Sequence, residues 1–182
     1  MKKTLIAIFS IVFVLSMLFF GGGIQENFYE ENTDYEKETE YGIVERVIDG
    51  DTAEIMINGE VETVRFLGVD APELRLQNDP EEYRGITDED CLYLWAEKAT
   101  NYTKKEIGEK EVKLVYDSKA GRKGVYGRTL AYIELGERDF TKELIEEGYA
   151  RIYDNSNFIR KLDYLEAEAT AYNEQRGLWR CS

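Results

Sequence analysis

Asn58-Gly59, set between two stretches of alternating apolar and polar residues, narrows the fold more than any other feature of the sequence. Both residue types tolerate the positive φ that a two-residue hairpin turn demands. The dipeptide therefore predicts that Thr52–Ile57 and Val61–Leu67 fold back on each other as antiparallel strands. Gly42–Ile48 alternates in the same way, which predicts a three-stranded meander. Leu74–Glu89 then reads as a polar loop and Cys91–Ile107 as a helix with Leu94, Trp95, Ala99 and Tyr102 along one side. Glu111–Tyr116 and Thr129–Leu135 read as two further strands. Asp139 is placed to cap a short helix carrying Phe140, Leu144 and Ile145 that stops at Gly148. Phe158, Leu162, Leu165, Ala169 and Tyr172 recur every three or four residues and mark a longer amphipathic helix ending at Gly177. Five strands and three helices in this order suit a small Greek-key barrel of the OB type, in an α+β, mainly β, domain. A plain α+β sheet fits the same string, and periodicity alone does not choose between them.

The first forty residues have a different character. Lys2 and Lys3 precede Leu5–Phe20, which is apolar except for Ser10 and Ser16, and Gly21–Gly23 follow. A basic start, a greasy middle and small residues make the layout of an export signal, so residues 1–23 are expected to be a signal peptide or an uncleaved membrane anchor. Residues 24–40 hold seven acids and one base and read as a solvated acidic linker. The folded domain is then expected over 41–182, secreted or anchored at the outer face of the cytoplasmic membrane. Only the N-terminal segment is expected to touch lipid, and no obligate protein partner is inferred.

The chain contains no histidine. That excludes Ser-His-Asp and Cys-His catalysis and histidine-based zinc sites. What remains is carboxylates, Lys, Arg, Tyr, or a hard cation held by oxygen ligands. Four clusters offer such groups: Asp49-Gly50-Asp51-Thr52 at a strand junction, Arg65 inside an apolar strand, Asp70-Ala71-Pro72-Glu73 just past that strand, and Tyr126-Gly127-Arg128 at the entrance to a later one. Taken singly, each has a plainer reading: a solvated turn, an arginine facing water, a helix start, an ordinary loop. Together they supply what phosphodiester hydrolysis needs. Asp51 and Asp70 are candidate ligands for a divalent cation, and Pro72 holds Ala71 extended so that its carbonyl is available as a further ligand. Glu73 is the candidate base for the attacking water. Arg65 and Arg128 offer paired donors to a phosphate, and Tyr126 a hydrogen bond or a stacking face.

These residues, in order and spacing, resemble the signature of the staphylococcal-nuclease-like (thermonuclease) family. The resemblance runs through Asp49–Thr52, Val64–Glu73 and Tyr126–Tyr132 to the terminal Gly177-Leu178-Trp179, from about Tyr41 to Trp179. It implies an OB-fold barrel with three helices and a calcium-dependent endonuclease that acts on DNA and RNA and leaves 3′-phosphates. Asp51, Asp70 and the Ala71 carbonyl match the calcium ligands, Glu73 the general base, Arg65 and Arg128 the catalytic arginines, and Tyr126 a nucleotide-contacting tyrosine.

The chain departs from that pattern in three ways. Ala71 stands where threonine is usual, and Val125 where a basic residue is. The domain is also acidic: the chain carries a net charge of −14, of which −10 falls from Tyr41 onward, whereas affinity for a polyanion rests on Lys and Arg. Lys119, Arg122 and Lys123 form a local basic run before Arg128, with Lys123 a candidate substrate contact. Finally, Cys91 and Cys181 are expected either to form one disulfide tying the first helix to the C-terminus or to be two free thiols.

Overall fold

The computed structural model describes residues 38–74 and 78–181. The expected export segment and nearly all of the acidic linker lie outside the described residues. Among the described residues, no helix is long and apolar enough to cross a membrane.

Five strands close into a barrel. β1 (Thr39–Val47), β2 (Thr52–Ile57) and β3 (Glu60–Phe66) form the meander, with Ile43 opposite Met56 and Met56 opposite Val61. Asn58 and Gly59 have φ values of 53° and 87°, as the turn requires. After the two-residue strand β4 (Val69–Asp70) and helix α1 (Glu89–Ile107), β5 (Glu111–Val115) pairs with β1, and β6 (Thr129–Leu135) pairs with β5. A parallel pairing of β3 with β6, Val64 to Thr129 and Arg65 to Leu130, completes the ring. That single pairing decides between a barrel and an open sheet. β1 begins two residues ahead of the expected boundary, and Glu40 is already tied down: it accepts a hydrogen bond from the Tyr116 hydroxyl and pairs with Arg122 at 2.6 Å.

The rest of the chain is β7 (Arg138–Asp139), α2 (Phe140–Glu146), β8 (Arg151–Ile152), α3 (Lys161–Asn173) and a final 3-10 turn, Gly177–Cys181. Asp88 caps α1 through the Cys91 N–H at 2.9 Å, and Asp139 caps α2 through the Lys142 N–H at 3.0 Å. The barrel interior is filled by Ala53, Ile55, Val64, Phe66, Leu114, Ala131 and Ile133, all essentially without exposure.

Two helical faces differ from the expected ones. α1 buries Leu92, Ala96, Ala99, Thr100, Thr103 and Ile107, while Leu94 is exposed. α3 buries Tyr164, Ala167, Glu168 and Ala171, and Leu162 is 77 % exposed. The middle of the inward face of α1 is Ala96, Ala99, Thr100 and Thr103, and α3 sets Ala167 and Ala171 beside Tyr164, so small residues occupy the closest approaches. The stretch expected as a polar loop also behaves differently. It contains a 3-10 turn, Pro80–Tyr83, and it buries Tyr83 and Ile86 in a second core with Leu92, Ala171, Leu178 and Trp179.

Cys91 and Cys181 are bonded to each other beside this second core, closing a loop of 90 residues. In chain-entropy terms a loop of that length stabilises the folded state by about 4.6 kcal/mol. The double substitution Cys91→Ser, Cys181→Ser is therefore expected to lower the denaturant midpoint by that order, and reductant to retard the wild-type chain on a denaturing gel. An unchanged midpoint would show that the second core stands without its bridge.

Gly50 has a steric reason of its own. A Cβ there would lie 2.6 Å from the Ala71 Cβ and 2.8 Å from the Ala99 Cβ, because the β1–β2 loop is wedged between α1 and the chain after β4. Gly50→Ala is expected to cost about 1–3 kcal/mol by overpacking, read as a lower unfolding midpoint. A midpoint equal to wild type would mean that the loop is free to move away.

Candidate active site

The pairing of β3 with β6 places the predicted residues at one end of the barrel. Arg65 lies in β3 directly beside Leu130, and Arg128 is the residue before β6, so the two arginines come to the same rim. The β1–β2 loop carries Asp51 to that rim. Its backbone is fixed by the Thr103 hydroxyl donating to the Gly50 carbonyl at 2.7 Å and by the Phe66 N–H donating to the Asp51 carbonyl at 2.8 Å. Asp70 arrives from β4, which pairs with β8 so that Asp70 lies opposite Arg151.

Arg65 joins the two acids. One of its terminal nitrogens pairs with Asp51 Oδ1, and Nη2 donates to Asp70 Oδ1 at 2.6 Å. The remaining carboxylate oxygens are also held. Asp51 Oδ2 accepts the Ala71 N–H at 2.6 Å, Asp51 Oδ1 accepts the Thr52 hydroxyl at 3.0 Å, and Asp70 Oδ2 pairs with Arg151 Nη2 at 2.7 Å. Arg65 does not face water across a one-sided sheet; its side chain is 16 % exposed. Burial pushes the Asp51 carboxyl up to about 6 against the pull of Arg65, with Asp49 adding to the rise. Asp70 is raised by the same opposition of burial and Arg65, with Asp51 as the repelling neighbour. For Arg65, burial pulls the other way and loses to Asp51 and Asp70, so its guanidinium stays firmly charged.

Glu73 stands exposed at the rim, beyond a stretch that continues as irregular chain and not as a helix. Its N–H donates to Asn78 Oδ1 at 2.8 Å, and the buried Asn78 returns a bond to the Glu73 carbonyl at 3.4 Å. Partial desolvation and repulsion from Asp51 and Asp70 raise its carboxyl. Arg128 is half-buried, with its guanidinium 5.9 Å from the ring centre of Tyr126, which is 86 % exposed.

A cavity of about 460 Å³ gathers these groups. Asp51, Arg65, Asp70, Glu73, Tyr126 and Arg128 line it, joined by Asp49 and by an apolar wall that includes Phe66, Leu67, Leu130 and Tyr153. Lys123 is not brought to this lining. Its ammonium lies 2.9 Å from Glu62 and 2.7 Å from the Thr129 hydroxyl. Arg122 is likewise paired, with Glu38 and Glu40, and stands over the Tyr116 ring. The local basic run is thus largely neutralised from within. Tyr153 in the lining, Arg151 against Asp70 and Asn78 against the Glu73 backbone carry no signal in the sequence. Arg151 sits in a two-residue strand, too short for any periodicity to register.

The donor set fits a hard cation. The four carboxylates of the lining exceed its two guanidiniums by two negative charges, and all the ligands are oxygens. Among the described residues, no group of three acids is gathered tightly enough to hold an ion with side chains alone. Two carboxylates, a backbone carbonyl and water make up the coordination that such ions accept.

The family model described as staphylococcal nuclease homologue matches residues 63–181. Asp49–Thr52 falls ahead of that match. An uncharacterized protein of Methanocaldococcus jannaschii is 42 % identical over 151 residues, 78 % of this chain and 72 % of that one. The thermonuclease of Staphylococcus intermedius is 38 % identical over 75 % of this chain and 74 % of its own length. The SPbeta prophage-derived endonuclease YokF of Bacillus subtilis is 31 % identical over 75 % of this chain, which spans 43 % of that protein. With its closed barrel, its paired acids and both arginines on one rim, the chain belongs to the family of staphylococcal nuclease homologues.

Proposed function

We propose that this chain is an endonuclease that hydrolyses phosphodiester bonds of DNA and RNA with the help of a calcium ion, outside the cell or at its surface. The observation that carries the reading is the convergence on one cavity of Arg65, bound to Asp51 and Asp70, with Glu73 and Arg128. The names of the thermonuclease and endonuclease relatives support it. The Cys91–Cys181 bond supports the location, since disulfides persist in oxidising compartments, as does the apolar segment Leu5–Phe20 with its basic start.

The residues divide the work as follows. Arg65 and Arg128 grip non-bridging phosphate oxygens through their planar forks and meet the negative charge that grows as phosphorus becomes five-coordinate. Glu73 accepts a proton from the water whose oxygen attacks phosphorus, and the bond from phosphorus to the 5′ oxygen breaks. That leaves the phosphate on the 3′ side, and the departing 5′ oxygen takes a proton from solvent water to become an alcohol. Asp51, Asp70 and the Ala71 carbonyl would hold the calcium ion, whose chemistry is polarisation of a phosphate oxygen. Tyr126 and Tyr153, at the open side of the cavity, offer rings to a base.

The acidity of the domain favours a second reading, an OB-fold module that binds nucleic acid or protein without cutting anything. The two readings separate cleanly. Full-length chain purified in detergent is expected to degrade single-stranded DNA when calcium is supplied and to stop when a chelator is added. The binding-module reading is upheld instead if DNA is retained but never cut. Glu73→Gln is the most telling variant, because Glu73 stands at the rim and no buried pair depends on it. It is expected to lower turnover about a hundred- to ten-thousand-fold with an unchanged circular dichroism spectrum. Arg128→Gln should cost about a hundredfold or more. Cleavage that continues in chelator and in both variants would mean that this assignment of roles is wrong.

A further inference from the structure

Among the described residues, Arg151 is a buried cation next to the site that the roles above leave unused. It lies opposite Asp70 in the β4–β8 pair, and its side chain is 7 % exposed. Nη2 meets Asp70 Oδ2 at 2.7 Å and Nη1 donates to the Ile152 carbonyl at 3.3 Å. The guanidinium carbon stands 5.3 Å from the centre of the buried Tyr83 ring. Glu82 is a more distant, half-exposed partner at 3.5 Å. Arg151 does not line the catalytic cavity. It lines a neighbouring hollow of about 390 Å³ with Glu82, Asp154 and Glu168, and its link to the cavity is the Asp70 carboxylate.

A buried ion pair is a poor device for stability, because the desolvation of two charges offsets most of their attraction. Here the pair also has a fixed geometry. The antiparallel register holds the two Cα atoms opposite each other, the Ile152 carbonyl holds one arm of the fork, and Glu168 fixes the strand by accepting the Ile152 N–H at 2.9 Å. Asp70 is therefore held from both sides, by Arg65 on Oδ1 and by Arg151 on Oδ2, so its carboxylate plane has little freedom to turn. Without Arg151, the carboxylate could pivot about its contact to Arg65 and leave the direction that a shared ligand requires.

We propose that Arg151 is a positioning residue: it orients Asp70 so that Asp70 and Asp51 present oxygens to one and the same cation. This rests on the reading of Asp51 and Asp70 as calcium ligands. Partners that orient a metal-binding carboxylate are typically worth about ten- to a hundredfold in metal affinity.

The test is calorimetric titration of calcium into the full-length chain without nucleic acid, for wild type, Arg151→Gln, Arg151→Lys and Ile152→Val. Arg151→Gln is expected to bind ten- to a hundredfold more weakly than wild type. Arg151→Lys, which keeps the charge and loses the fork, should fall about three- to tenfold. Ile152→Val, which disturbs the packing of the same short strand and leaves the guanidinium in place, should match wild type. If the glutamine variant fails to fold, the lysine variant decides alone. Wild-type affinity in Arg151→Gln or Arg151→Lys, tighter binding in either, or an equal loss in Ile152→Val overturns the role. No calcium binding by the wild-type chain would instead remove the ligand assignment on which the role rests.

Discussion

A charged guanidinium buried between two carboxylates from different loops is the constraint around which this molecule is arranged. Arg65 would be costly where it lies if Asp51 and Asp70 were both absent, because a buried charge left without a partner costs about 3–5 kcal/mol. The two acids would repel each other across the same space without Arg65, and burial raises both carboxyls. The three groups are stable only together. Fold and site are therefore one problem: the β1–β2 loop, the end of β3 and the short β4 must all meet at one point.

The barrel makes that meeting possible. In an open sheet β3 and β6 would be separated by β2, β1 and β5, and Arg65 and Arg128 would lie far apart. Their parallel pairing turns two distant arginines into neighbours on one rim. The loops are then seated by small, specific contacts: Gly50 wedged against Ala71 and Ala99, the Thr103 hydroxyl on the Gly50 carbonyl, and Asn78 gripping the backbone of Glu73. Gly68, with φ at +83° and the Phe158 ring 2.7 Å from where a Cβ would be, makes the tight turn that sends the chain from β3 into β4. α1 thereby acts as a brace for the site as well as a wall of the core.

Much of this was legible in the sequence, for physical reasons. Alternation and the Asn58-Gly59 turn mark β2 and β3 because these strands are buried on one side only. Asp139 and Gly148 mark α2 because both helix ends need special backbone chemistry. Asp51, Arg65, Asp70, Glu73, Tyr126 and Arg128, legible in the sequence because their chemistry makes sense only as a set, line one cavity. The parts that escaped follow from close packing. The inner faces of α1 and α3 rely on Ala96, Ala99, Thr100, Thr103, Ala167 and Ala171, whereas Leu94 and Leu162, which set the apparent period, are exposed. Tyr83 and Ile86 are hidden in a stretch dominated by charge, and Arg151 in a strand of two residues. Composition overstated the role of Lys123 and Arg122, because it cannot see that Glu62, Glu38 and Glu40 neutralise them.

The acidity of the domain becomes intelligible at the cavity, where acids outnumber guanidiniums by two. Such a lining repels a phosphate until a dication is present, so ion and substrate are expected to depend on each other. The most direct check is a diffraction experiment on crystals grown with calcium. The account predicts one ion within about 2.3–2.6 Å of carboxylate oxygens from both Asp51 and Asp70 and of the Ala71 carbonyl. Density showing the two carboxylates turned apart, or calcium bound only elsewhere, would contradict it.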